Sequence, residues 1–87
     1  MLISNPKYKK DTISKVVQIL SDKLGISSTR ISYKASFSHD LNVDSLDLLE
    51  CIAAIEDEFK IKIPDEEIEK LLSVGDLIDC VDHLVHK

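Results

Sequence analysis

The sequence predicts an all-α fold, a small bundle of four helical segments, and three observations carry that prediction. Apolar residues recur at helical spacing from Ile13 to Leu24 and again from Leu77 to Val85. The stretch from Asp44 to Phe59 holds no Gly or Pro. No stretch alternates apolar and polar residues between turn signals, as a strand of a half-buried sheet would.

In the first helix Ile13, Val16, Val17, Leu20 and Leu24 form one stripe, with Asp11 or Thr12 as cap and Gly25 as stop. Residues 1–10, with Asn5-Pro6 and Lys7, Lys9 and Lys10, read as a basic, frayed lead-in, and residues 11–87 as the domain. Ile26 to Val43 reads as a long loop pinned by Ile26, Ile31, Phe37 and Leu41, since its apolar residues follow neither period. The second helix, Asp44 to Phe59, carries a broad apolar arc that includes Leu46, Leu48, Leu49, Cys51, Ile52, Ile55 and Phe59, with Asp47, Glu50, Asp57 and Glu58 opposite. Glu56 falls within the apolar arc, and the pattern offers its carboxylate no partner. Pro64 and three acids open a short third helix, Asp65 to Leu71. Ser73 and Asp76 have capping-box spacing ahead of a fourth helix that runs to about His86, with Leu77, Ile78, Val81, Leu84 and Val85 as its apolar face.

Composition narrows the function. The chain has 87 residues, 44% hydrophobic and 31% charged, which fits one domain with one modest core. Its aromatics are Tyr8, Tyr33, Phe37 and Phe59, so Leu, Ile and Val supply most of that core. The net charge of −5 argues against a nucleic-acid or anionic-membrane binder. Residues 1–38 carry seven basic and two acidic side chains, whereas residues 39–87 carry four and fourteen, so the second half attracts basic partners. The opening residues lack the apolar stretch of about 7–15 residues that a secretory signal needs, and no run of about 18 apolar residues exists to span a bilayer. Cys51 and Cys80 form no metal or redox motif and read as reduced thiols of a cytoplasmic protein.

Catalytic constellations are weak. His39, His83 and His86 are the only histidines, His83 and His86 lack a third metal ligand, and His39 is the one candidate base for Ser45. Ser45 stands out by position, opening an acidic amphipathic helix after a long loop. There the free N–H groups and the dipole favour an anion on its hydroxyl, although Asp44 or Ser45 acting as a plain helix cap explains the same residues.

Asp40-Leu41-Asn42-Val43-Asp44-Ser45-Leu46-Asp47, followed by Glu50, Glu56-Asp57-Glu58-Phe59 and Ile63-Pro64-Asp65-Glu66-Glu67, resembles the acyl carrier protein family over residues 11–86. The resemblance implies an antiparallel bundle of three main helices plus a short one, with a long loop between helices one and two. It implies no catalysis. Ser45 would be esterified with 4′-phosphopantetheine from coenzyme A by a phosphopantetheinyl transferase (holo-acyl-carrier-protein synthase), and the arm would carry fatty acyl groups as thioesters. Acyl chains would fold back against Phe37, Ile52 and Ile55. Asp44, Leu46, Asp47, Glu50, Ala53, Glu56, Asp57 and Ile63 match positions that dock the basic faces of fatty-acid synthesis enzymes and acyltransferases. The same resemblance implies a monomer that works in the cytoplasm without inserting into membranes.

Three departures stand out: Asn42 for a customary Gly, Lys60 and Lys62 where acids are common, and His39 at an often acidic position. A chain ending soon after helix four points to a free-standing carrier of dissociated (type II) fatty-acid synthesis. Alternatives are a specialised carrier of another acyl pathway and an unmodified acidic helical interaction domain; Asn-Val-Asp before Ser45 argues against a peptidyl carrier. Because the acids of residues 39–87 repel one another, added salt or divalent cations should raise the melting temperature; melting across a salt series checks this, and a flat response contradicts it.

Overall fold

A computed structural model describes residues 4–85, with side chains from residue 11 onward. The described elements are α1 (Ser4–Leu24), a 3₁₀ turn (Ser28–Arg30), α2 (Ser45–Phe59), α3 (Asp65–Ile68) and α4 (Val74–Val85). The only β-type pairing among the described residues is an isolated antiparallel bridge between Ser36 and Ser73.

α1 starts at Ser4, inside the segment read as a frayed lead-in. Pro6 permits this because it lies in the first turn, where the N–H that proline lacks has no intrahelical acceptor anyway. Thr12 is therefore not a cap; it sits within the helix, 3% exposed. Gly25 stops α1 as predicted, in the left-handed region at φ 67°, its N–H donating to the Ser21 carbonyl at 2.9 Å. Val16 and Leu20 of α1 are fully buried, and α1 packs along both α2 and α4.

The core joins Cys51, Ile52 and Ile55 of α2 to Val74, Leu77, Ile78 and Val81 of α4, and loop side chains complete it. The loop holds the 3₁₀ turn and is pinned by Ile31, Ala35, Phe37, Leu41 and Val43, all buried, while Ile26 is half-buried. α3 ends three residues earlier than the pattern predicts because bonds tighten to three-residue spacing, Lys70 N–H to Glu67 and Leu71 N–H to Ile68. Val85, placed on the apolar face of α4 by its spacing, is 40% exposed. His86 lies outside the described residues.

The start of α4 shows why loop and helices form one unit. Helix N-terminal N–H groups need acceptors from outside the helix. Val74 and Gly75 donate theirs to the loop carbonyls of Ala35 and Tyr33, at 2.9 and 2.8 Å. Asp76 N–H donates to Ser73 Oγ, and Asp76 Oδ2 accepts from the N–H of Ser73 and of Leu72, which realises the predicted capping box and extends it. The Tyr33 hydroxyl then donates to Asp79 Oδ2 at 2.7 Å, strapping the loop to the next turn.

Gly75 is the close-approach point of that strap. A Cβ there would lie 2.7 Å from the Tyr33 ring and 2.8 Å from its carbonyl oxygen, which cannot retreat without losing the Gly75 bond. Overpacking costs about 1–3 kcal/mol, against a helix-propensity gain of at most about 1 kcal/mol. Gly75→Ala should therefore lower the urea midpoint, and an unchanged or higher midpoint contradicts the strap.

Candidate functional site

The site is built where the pinned loop meets α2. Ser36 and Asp40 close a tight turn: the Ser36 N–H donates to Asp40 Oδ2 at 2.7 Å, and the Ser36 carbonyl accepts from the N–H of Asp40 and of Leu41. Val43, buried, donates its N–H to the Phe37 carbonyl at 2.7 Å. Between them Asn42 takes a left-handed conformation at φ 55°, which Asn tolerates better than most residues, so the turn survives without glycine.

Asp44 then enters α2 with extended backbone and caps it, Oδ1 accepting the Asp47 N–H at 2.9 Å. Of the two candidate caps, Asp44 does the work. Ser45, the first helical residue, is exposed, and among the described residues its hydroxyl has no hydrogen-bond partner. The free hydroxyl faces solvent at the positive end of a four-turn helix, a fitting place for a covalently attached phosphate. His39 is exposed and joins the turn through its main chain, N–H to Ser36 Oγ, and among the described residues it makes no hydrogen bond to Ser45.

Asp44, Asp47, Glu50, Ala53 and Asp57 are exposed, as is Leu46 at 67%. Leu46 and Leu49, both counted in the apolar arc by periodicity, thus face solvent; Leu49, exposed beside the acids, was legible only as core. The exposed Leu72, in the link between α3 and α4, carried no sequence signal at all.

Two residues of the docking set are turned inward. Glu56 Oε2 accepts the Ile63 N–H at 2.7 Å, and the Glu56 carbonyl accepts from the N–H groups of Lys60 and Ile61. Its half-buried carboxylate thus has the partner that periodicity could not supply: it ties down the link from α2 to α3. Ile63 itself is 2% exposed and belongs to the core. In this conformation it has no side-chain surface to offer a partner.

Cys51 and Cys80 are free thiols. Burial, reinforced by Asp47 and Glu50, pushes the Cys51 thiol up to about 11, with Lys23 partly opposing; burial and then Glu67 push Cys80 up as well. Both stay protonated near neutrality and act as small apolar groups. Among the described residues no group of His, Cys, Asp and Glu could hold a metal ion, and no helix is long and apolar enough to cross a membrane.

Comparison with known proteins agrees with this geometry. A family model described as the phosphopantetheine attachment site matches residues 14–81. The chain is 51% identical to an acyl carrier protein of Clostridium acetobutylicum over 67 residues, covering 77% of this chain and 87% of the relative. It is 43% identical to one of Thermosynechococcus vestitus over 77 residues, covering 88% and 95%. The crystal structure of the acyl carrier protein from Thermotoga maritima superposes with a TM-score of 0.79 at 37% identity, over 91% of this chain and 92% of that one. Matched in sequence and in fold along most of its length, this chain belongs to the acyl carrier protein family, whose members carry acyl groups on covalently attached 4′-phosphopantetheine, interact with synthesis enzymes and do not catalyse.

Proposed function

We propose that Ser45 is the attachment residue and that the chain serves fatty-acid synthesis as a monomeric carrier in the cytoplasm. One observation carries this reading: capping of α2 falls to Asp44, so the Ser45 hydroxyl is exposed and unengaged at the helix start. When attached, 4′-phosphopantetheine supplies a mobile thiol for thioester formation. The protein's own residues do the rest. The first N–H groups of α2 and its dipole stabilise the phosphodiester, the Ser36–Val43 turn holds Ser45 clear of the core, and the acids of α2 steer basic enzyme faces toward it.

Docking belongs to Asp44, Leu46, Asp47, Glu50, Ala53 and Asp57, the exposed members of the set. Glu56 and Ile63 contribute indirectly, by holding the α2–α3 link in place. Weak, charge-steered contacts suit a shuttle that meets several enzymes in turn, because they raise the association rate without prolonging the complex.

Incubation with coenzyme A and a phosphopantetheinyl transferase, followed by intact mass and peptide mapping, tests the assignment. One phosphopantetheine addition on Ser45, abolished in Ser45→Ala, is the expected outcome. Addition at another residue, or none on a folded sample with transferases of broad specificity, overturns it and favours an unmodified interaction domain.

A further inference from the structure

The acidic face of α2 is edged by lysines from outside that helix. Lys15 of α1 reaches Glu58 at 3.6 Å, and its Nζ lies 5.9 Å from the centre of the Phe59 ring. Further along α1, Lys23 is close enough to Cys51 to counter the charges of Asp47 and Glu50 there. α1 and α2 therefore run antiparallel, with Lys15 beside the C-terminal end of α2 and Lys23 nearer its middle. Lys23 returns in a groove of about 740 Å³ that it lines together with Lys62 and four acids, Glu50, Glu56, Asp57 and Glu58.

Lys15 is paired, but among the described residues Lys23 and Lys62 have no ion-pair partner, and both are exposed. The groove is thus a mixed-charge surface rather than a uniformly acidic one. A uniformly basic partner would set its own cations against Lys23 and Lys62, and like-charge juxtaposition at an interface is unfavourable.

We propose that this groove docks a mixed-charge element of the synthesis enzymes, with Arg or Lys set against Glu50 and Asp57 and a carboxylate set against Lys23 and Lys62. The inference rests on the carrier reading above. It makes Lys23 and Lys62 attractive specificity determinants and extends the docking surface from α2 onto the end of α1 and the α2–α3 link.

The sign of one effect tests it. Each Lys→Glu reversal makes the face two charge units more negative, so if the lysines merely dilute an acidic field, a basic enzyme binds the variant better. The proposal requires the opposite. After loading at Ser45 has been verified by mass, the KM of the source organism's condensing enzyme (β-ketoacyl synthase) for the acylated protein is compared between the native chain and Lys23→Glu/Lys62→Glu.

The expected result is a KM raised about fivefold with kcat within twofold, two rim ion pairs having been replaced by repulsions. Lys23→Gln/Lys62→Gln, which removes charge without reversing it and disturbs the fold least, should raise KM about twofold, with circular dichroism verifying the fold of both variants. An unchanged or lowered KM in both overturns the proposal and leaves the carrier reading intact. Failure of the native chain to load counts against the carrier reading, and the docking proposal falls with it.

Discussion

The carboxylate of Asp44 at the start of α2 is the interaction on which the site depends. By accepting the Asp47 N–H, it satisfies a helix-start donor that a neighbouring hydroxyl would otherwise be recruited to satisfy. That division of labour leaves Ser45 unengaged while keeping α2 intact up to its first residue. The constraint extends backward through the chain: the cap is in place only because Asn42 accepts a left-handed turn and Val43 is anchored to Phe37. Those loop residues are fixed in turn by the lashing of Tyr33, Ala35 and Phe37 to the start of α4.

Charge is arranged on two levels. Some carboxylates bind the protein's own backbone: Asp40 closes the turn ahead of the site, Asp76 caps α4, and Glu56 holds the α2–α3 link. Each accepts backbone N–H groups that would otherwise be unsatisfied, a use in which a negative charge is favourable. The remaining acids of α2 face water beside the lysines of α1, which lessen their mutual repulsion where Lys15 meets Glu58. An exposed pair of this kind is worth little to stability, so its consequence lies in the shape of the surface field.

The helices were legible because their apolar spacing is regular, and α2 and the α4 capping box were readable from the residues alone. The motif around Ser45 was legible as a resemblance, which position by itself could not have decided. What was not legible depends on contacts between distant residues. Periodicity places Leu46 and Leu49 on the α2 arc but cannot reveal that α1 and α4 leave that end uncovered. It sets Glu56 in the same arc, and only the fold brings the Ile63 N–H to it. The early start of α1 was hidden by Pro6, which usually ends a helix and here lies harmlessly in its first turn. Gly75 offered no signal, since its need for a missing Cβ comes from Tyr33, 42 positions earlier.

The most direct test of this account is the unfolding free energy of Asp44→Ala and Ser45→Ala, measured side by side by urea denaturation. If Asp44 alone caps α2, Asp44→Ala loses about 1 kcal/mol, the usual worth of a helix cap. Ser45→Ala then stays within about 0.5 kcal/mol of the native chain, as an exposed substitution away from any cap should. The reverse order, with Ser45→Ala carrying the cap-sized loss and Asp44→Ala near neutral, would show the hydroxyl to be engaged in holding the helix and would contradict the claim that the fold keeps it free.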